Sequence, residues 1–426
     1  MNDTTPMGTD ADRSYRKKLL RLLSTATFFE GYDNYVLSFV LAGTLASLGG
    51  TEAQAGGLRA IVSVGTVLSF ALAAQADRLG RKRLLLITIA GYTIATVATA
   101  AAPNLAVIAI TQGIAQIFIG AEWAVAVTMV VEEFPTGERG RSLGIVTSMQ
   151  TFGAIAVGLL GFAGLGDTEL GWRAYYLVGI IPLVLVANGR RSLRDSERHA
   201  AVRADERLDH VSIWEPWKPA FRRLLVPIGL AQLLRFTAVS AAAFWWAFYA
   251  QRETGMSEAT SGLFLAVSGL VGAVGFFVAG RLMDRFGRVP LFITYMGGAL
   301  VTGVATFNIA EHLLMLPFFC LSIFFGLGSV AITSAMATEP FPTYVRSRAS
   351  AWNRNAVEVV GGIIGAWVVG VLGDDATGAL GSIGAAMTAL LLVTVPPAMF
   401  IAWRFIPETR GRDIAAHDEE HAASLA

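Results

Sequence analysis

Stretches of about twenty apolar residues recur twelve times along this chain, and that recurrence limits the possible folds more than any other feature. Only helices or closed barrels satisfy the backbone in lipid, and the stretches lack the period-two alternation of membrane strands. We therefore predict an all-α membrane protein with twelve transmembrane helices. The predicted spans, numbered 1 to 12, cover residues 22–47, 56–75, 84–102, 105–131, 143–165, 172–189, 224–250, 260–280, 290–309, 312–337, 349–372 and 379–403.

Composition agrees with a bilayer protein and excludes several other classes. Charged residues make up 15% of the chain, where a soluble domain carries about 25%. The net charge of +1 gives no basic field for nucleic acid. The lone cysteine, Cys320, and five scattered histidines form no metal-ligand pattern. We expect no cofactor, no metal site and no nucleic-acid partner. Polar residues precede the first apolar stretch and more spans follow it, so we interpret it as a membrane helix.

The positive charges set the topology. If spans alternate, 28 of the 33 Lys and Arg residues fall on one side, together with both termini. Three fall on the other side, Arg59, Arg173 and Arg252, and two fall inside spans, Arg235 and Arg354. A missed helix would scramble this separation. We predict an even number of helices and cytoplasmic termini in the cell (inner) membrane.

A single long polar segment separates six spans from six. We interpret it as a cytoplasmic linker between two helical bundles. The predicted organisation is an N-terminal tail at 1–21, a first bundle at 22–189, the linker at 190–223, a second bundle at 224–405 and a C-terminal tail at 406–426.

Two motifs recur at the same offset of 207 residues. The sequence Asp77-Arg78-Leu79-Gly80-Arg81 returns as Asp284-Arg285-Phe286-Gly287-Arg288, and Glu132 with Arg139 returns as Glu339 with Arg346. A shared offset indicates parallel repeats of six helices, an architecture that supports alternating access. The alternative interpretation of these charges is that they only set topology. If they instead form ion pairs that break between conformations, the cytoplasmic gate consists of Asp77, Arg78, Gly80, Arg81, Glu132, Arg139, Asp284, Arg285, Gly287, Arg288, Glu339 and Arg346.

These motifs resemble the major facilitator superfamily. The loop Ala76–Lys82 is similar to the signature between its second and third helices, and Glu132-x-x-Pro135-x-x-x-Arg139-Gly140 to its sugar-porter and organic-solute branch. Pro407–Arg412 and Gly171-Trp172-Arg173 also fit that branch. The resemblance implies a twelve-helix carrier that works by alternating access.

Two further motifs resemble the proton symporters within this branch. Glu30-Gly31-Tyr32-Asp33 is similar to the acidic pair of aromatic-acid and metabolite:proton symporters, and Gly120-Ala121-Glu122-Trp123 to a motif of the metabolite:proton symporters. Span 7 reads Gln232-Leu233-Leu234-Arg235, which lacks the double glutamine of sugar porters. The resemblance therefore favours a metabolite over a sugar.

Six charged residues stand out within the predicted spans, and each would cost about 2.5–3.5 kcal/mol or more if it faced lipid. They must face a cavity or pair with one another. They are Glu30, Asp33, Glu122, Arg235, Arg354 and Glu358.

The acids are the candidates for proton coupling. Glu30 and Asp33 are three residues apart and share a helix face, so both cannot ionise cheaply in low dielectric. We predict coupling through Asp33 first, then Glu30, with Glu122 in span 4 as a further site. The alternatives are helix-end solvation or a structural salt bridge for the pair, and a structural hydrogen bond for Glu122.

Arg235 could bind a solute carboxylate with both guanidinium nitrogens, or it could be a static partner of Glu30 or Asp33. Arg354 and Glu358 are four residues apart and can pair within their helix. The predicted substrate-binding residues are Arg235, Tyr32, Gln150, Trp246, Asn353, Asn355 and Glu358.

Together these features predict a monomeric, proton-coupled secondary transporter of a small organic solute, a carboxylate such as an aromatic acid being favoured. No catalytic constellation indicates an enzyme. The alternatives are a proton-driven exporter of a drug or secreted metabolite, and a non-transporting sensor on a carrier fold.

Overall fold

The computed structural model describes residues 10–73, 75, 79–181, 212 and 214–410, and within them it contains helices and turns and no strand. The prediction of an all-α protein is confirmed. The helices are α1 Asp10–Phe39, α2 Leu41–Leu48, α3 Glu52–Ala73, α4 Arg81–Ala100, α5 Leu105–Glu133, α6 Thr136–Phe162, α7 Trp172–Val178, α8 Pro219–Phe248, α9 Glu258–Phe286, α10 Arg288–Thr306, α11 His312–Thr338, α12 Thr343–Ala351, α13 Glu358–Gly373 and α14 Ile383–Phe405.

Nine of the helices in the described part of the chain are long and apolar enough to cross a membrane. Their outward side chains are apolar as well: Ile94, Val301 and Val393 are each about two thirds exposed or more. Such an apolar surface is typical of a protein in contact with lipid, because its exposure to water would be unfavourable. The protein is therefore embedded in a membrane.

The remaining spans differ from the predicted ones in detail. Span 1 is interrupted at Val40, between α1 and α2, and α1 begins at Asp10, inside the predicted N-terminal tail. Span 11 consists of α12, a π-helical segment at Trp352–Val357 and the apolar helix α13. Span 6 is described only to residue 181, and the linker at 190–223 is described only at 212 and from 214 onward. The bundle boundaries stay predictions.

The repeated motifs adopt repeated backbone conformations. Gly80 and Gly287 precede α4 and α10 with φ of 83° and 98°, values that favour glycine. Pro135 and Pro342 precede α6 and α12 with nearly identical dihedrals, φ −58° with ψ 150° and 152°. Equal local structure at the same offset supports a duplicated six-helix unit.

Glycines allow the N-terminal helices (α1–α7) and the C-terminal helices (α8–α14) to approach closely. A Cβ on Gly158 in α6 would lie 2.4 Å from the carbonyl oxygen of Gly262 in α9, and one on Gly56 in α3 would lie 2.8 Å from that of Ala366 in α13. Small residues permit such backbone contact between membrane helices. Because α6 ends and α9 begins here, these contacts lie at the end that the charge pattern places outside, and we call this contact region the outer seam.

Hydrogen bonds join the two sets of helices at the same end. The Asp374 carboxylate accepts a bond of 3.1 Å from the Ala53 backbone N–H near the start of α3. The Tyr175 hydroxyl of α7 donates to the Glu258 carboxylate at the start of α9. The outer seam is therefore closed by both packing and polar contacts.

We predict that Gly158→Ala will open the outer seam without unfolding the protein. Overpacking of this kind costs about 1–3 kcal/mol, which would shift the conformational equilibrium by roughly 5- to 150-fold. Spin labels would be attached to cysteines introduced at positions 169 and 252, in a Cys320→Ser background. The distance between the two labels, measured by electron paramagnetic resonance, should increase. Gly144→Ala is the control, because Gly144 lies in the same helix and a Cβ there would meet no atom within 4 Å. Unchanged distances in the Gly158 variant would contradict the assignment.

Candidate functional site

The Arg235 side chain of α8 is fully buried and bound on two sides. One Nη lies 2.9 Å from a carboxylate oxygen of Glu358, and the other donates to the Ser329 hydroxyl at 3.2 Å. The counterion of Arg235 is thus Glu358 on α13, and neither Glu30 nor Asp33. The predicted pairing of Glu358 with Arg354 in its own helix stays a prediction, because the side chain of Arg354 lies outside the described residues.

Asn353 lies one helical turn before Glu358, in the π-helical segment. Its side chain is 1% exposed, and its Nδ2 has no hydrogen-bond partner among the described residues. Such π-helical segments occur often at functional sites in membrane and soluble helices. A buried amide with an unsatisfied donor could bind a ligand oxygen, so the predicted role of Asn353 stands as a prediction. The side chain of Asn355 is outside the described residues.

Asp33 is buried in the N-terminal helices. Its side chain is 4% exposed, and neither carboxylate oxygen finds a hydrogen-bond partner in the part of the chain that the structure describes. It lies close to the phenols of Tyr32 and Tyr176, and one oxygen lies 3.6 Å from the position of a Cβ on Gly179. The Thr96 methyl approaches the same position, at 2.8 Å. Asp33 therefore faces α4 and the residue that follows α7.

Glu30 contacts a different helix. Its carboxylate accepts a hydrogen bond of 3.2 Å from the Gln150 amide of α6. Gly31 and Gly153 allow the close approach of α1 and α6 that places this pair together. The two acids are therefore held in separate surroundings, although they share one side of α1.

The other predicted residues lie within packed surroundings. Glu122 is buried in α5 at 4% exposure. The Tyr32 hydroxyl donates to the Tyr175 carbonyl oxygen at 2.8 Å, and Trp246 stacks on Phe319 with ring centroids 3.7 Å apart. Their roles in proton coupling or substrate binding stay predictions.

The gate residues predicted in the second repeat form ion pairs and hydrogen bonds with one another and with their neighbours. The Arg288 guanidinium binds the Glu339 carboxylate through two nitrogens, at 2.8 and 2.9 Å, and lies 3.2 Å from Asp284. Arg285 lies over the Phe286 ring, and Arg346 donates to the Phe341 carbonyl oxygen. In the first repeat, Asp77 and Arg78 lie outside the described residues, as do the side chains of Arg81, Glu132 and Arg139.

Glu408 completes this cluster and was absent from the predicted gate. Its carboxylate accepts hydrogen bonds from the backbone N–H groups of Arg288 and Val289, both 2.9 Å, at the start of α10. It also accepts from Thr409 and Arg410. A Cβ on Gly287 would lie 2.7 Å from this carboxylate, so glycine is required there for space as well as for its backbone angle. Burial acts to raise the pKa of Glu408, but the four N–H donors outweigh it and lower that pKa.

The sequence places Arg59 among the outer charges, at the start of predicted span 2, whereas the structure places it further from the helix end. It lies inside α3, which begins at Glu52, four residues before the predicted start of span 2. Its guanidinium lies 5.8 Å from the ring centre of Phe244 in α8. The only sequence signal was its position within an apolar stretch.

Three carboxylates form a group beside the outer seam. Ligand oxygens of Glu52, Asp374 and Asp375 lie within 4.8 Å of one another. Asp374 is already bound to the Ala53 N–H and to the hydroxyl of Thr377, so hydrogen bonding accounts for it. We assign no metal to this group.

We predict that Glu358→Ala destabilises the protein by about 3–5 kcal/mol, because it leaves a buried guanidinium without its carboxylate. Thermal unfolding in detergent measures the loss. The double variant Arg235→Met with Glu358→Ala should recover part of it. Glu215→Ala, which breaks the exposed pair with Lys218, should cost no more than about 1 kcal/mol. Equal losses in the two single variants would refute a structural buried pair.

We predict that Glu408→Gln lowers the melting temperature at pH 7.5 and that the difference shrinks in acid. A carboxylate with a lowered pKa stabilises the folded state above its unfolded pKa, and that stabilisation is lost as pH falls through the folded value. The difference should therefore persist at pH 5.5 and decline only below about pH 4. Melting curves at pH 7.5, 5.5 and 3.5 test this. A difference independent of pH would mean that the charge of Glu408 does not matter.

Several known proteins are similar to this chain in sequence or in fold. The chain is 26% identical over 362 residues to a candidate niacin/nicotinamide transporter of Bacillus subtilis (strain 168), which covers 84% of this chain and 88% of that one. It is 26% identical over 378 residues to a gallate transporter of Pseudomonas putida, covering 80% and 82%.

A solved D-xylose-proton symporter superimposes with a TM-score of 0.76 at 18% identity, covering 93% of this chain and 99% of that chain, and so shares the twelve-helix fold. The sequence model of the Major Facilitator Superfamily matches residues 23–366 and 228–424. The chain is not an enzyme but a membrane transporter, and it belongs to the Major Facilitator Superfamily.

Proposed function

We propose that the protein is a proton-coupled secondary transporter of a small organic carboxylate in the cell (inner) membrane, working by alternating access. The observation that carries this proposal is the buried carboxylate of Asp33, which has no hydrogen-bond partner among the described residues. No described cation pairs with it either.

An isolated ionised carboxylate at such a position is costly, so the protonated form is strongly favoured while the site is closed to water. When the site opens to solvent, the ionised form regains hydration and the proton can leave. A group that is protonated in one state and ionised in another couples proton binding to conformation. Asp33 therefore supplies what a proton-driven carrier requires, and Glu30 and Glu122 are further candidates for proton transfer.

The closed outer seam fits one state of such a cycle. Gly158 and Gly262 bring α6 and α9 into backbone contact, and Asp374 and Glu258 hold polar partners across the same seam. With the topology predicted from the positive charges, this arrangement corresponds to a carrier closed to the outside. The ion pairs of Arg288 with Glu339 and Asp284 would then rearrange as the opposite end closes.

The relatives support a flat carboxylate as the solute. The Bacillus subtilis protein is named for niacin and nicotinamide, and the Pseudomonas putida protein for gallate. Niacin and gallate each combine an aromatic ring with a carboxylate. Aromatic side chains such as Tyr35 and Phe244 lie beside the guanidinium of Arg59, where a ring of this kind could pack.

We predict that Asp33→Asn abolishes concentrative uptake while solute exchange without a gradient continues. An amide cannot release a proton, so the driving force is lost although the solute pathway remains. Proteoliposomes with an imposed proton gradient measure uptake of labelled nicotinate, and counterflow measures exchange.

Asp375→Asn, an exposed acid at the outer end, is the matched control and should leave both assays unchanged. Concentrative uptake by the Asp33 variant would remove it from proton coupling. Efflux driven by an inward proton gradient would favour the exporter.

A further inference from the structure

Arg59 lies directly below the outer seam. It is the eighth residue of α3, so it is roughly 10 Å along the helix from Glu52 at 1.5 Å per residue. Gly56, three residues earlier and hence on nearly the same helix face, packs against the backbone of Ala366 and Trp367 in α13. The side chain of Arg59 therefore points between the N-terminal and C-terminal helices, one turn deeper than their contact.

The guanidinium of Arg59 has no counterion in the described chain. It forms no ion pair and no hydrogen bond there, and its neighbours are the Phe244 ring at 5.8 Å and the Tyr35 phenol. Ser63, one turn further, donates to the Arg59 carbonyl oxygen and not to its side chain. A cation inside a membrane helix normally finds a partner, because leaving it unpaired is costly.

The contrast with Arg235 is informative. Arg235 is fully buried and already bound to Glu358 and Ser329, so a solute carboxylate would have to displace a protein carboxylate. Arg59 is half-buried, and no described group forms a hydrogen bond or an ion pair with its guanidinium. A guanidinium binds a carboxylate through two parallel hydrogen bonds, and aromatic rings beside it can hold a flat solute.

We propose that Arg59 is the residue that binds the solute carboxylate, with Phe244 and Tyr35 contacting the solute ring. This proposal rests on the proposed function, and it names the residue that selects the acid. It places the carboxylate where α1 and α3 meet α8, so the bound solute would touch both sets of helices. A solute in that position could influence the relative arrangement of the two halves of an alternating-access carrier, because it would contact both.

The test is equilibrium binding to the purified full-length protein, with nicotinate and benzoate compared with their neutral amides, nicotinamide and benzamide. Arg59→Gln should weaken binding of the carboxylates by about 10-fold or more, the loss expected for a hydrogen bond to a charged group. Binding of the amides should change less than about 3-fold, since uncharged partners contribute less.

Arg59→Lys separates the donor fork from the charge and keeps the proposal testable if the glutamine variant does not fold. It should weaken carboxylate binding by an intermediate factor and leave the amides unchanged. Arg252→Gln removes an exposed arginine at the same predicted end and should have no effect. Thermal unfolding of each variant confirms folding.

Equal losses for acids and amides, or wild-type carboxylate affinity in both Arg59 variants, would overturn the assignment of Arg59 while leaving carboxylate transport intact. If the wild-type protein neither binds nor transports any of the acids, the proposed function itself fails, and the role of Arg59 fails with it.

Discussion

The cost of placing a charge in a membrane governs the interior of this protein. Each ionisable group within the membrane must be neutral, be paired with an opposite charge or face a water-filled space, because hydrocarbon cannot solvate a charge. The three solutions appear side by side. Arg235 is paired with Glu358, Asp33 is buried without a described partner, and Arg59 is half-buried at the junction of the two sets of helices. The first solution stabilises a structure, whereas the other two leave capacity for a proton and a solute.

The same sites are connected by the packing of the helices. Glycines at the outer seam bring α6 against α9 and α3 against α13, and Arg59 lies one turn beyond the second of these contacts. A solute bound there would therefore interact with the elements that must separate when the outer side opens. Asp33 is close to the phenols of Tyr32 and Tyr176, and the Tyr32 hydroxyl binds the Tyr175 carbonyl, while Tyr175 itself binds Glu258 across the outer seam. A change in the charge of Asp33 thus has a short structural route to the contact between the two sets of helices.

The all-helical membrane fold was predictable because span length, charge alternation and the 207-residue repeat can be observed in the sequence without knowledge of contacts between helices. The sequence also identified Asp33, Glu122 and Arg235 as buried charges. The pairing of Arg235 with Glu358 was not predictable from the sequence, because the two residues are 123 positions apart and lie on different helices. By sequence, Arg59 is an end residue of span 2, but because α3 begins at Glu52, four residues before the predicted start of that span, Arg59 lies about two turns inside the helix. The role of Glu408 at the start of α10 likewise depends on a contact between residues 120 positions apart in the sequence.

Solute-driven proton movement tests the central claim most directly. Purified protein in liposomes loaded with a pH-sensitive dye would be exposed to nicotinate, gallate, a sugar and a cationic drug in turn. We expect acidification of the lumen with the aromatic acids and none with the sugar. Proton movement with the cationic drug alone, or solute uptake without any proton movement, would contradict proton-coupled carboxylate transport.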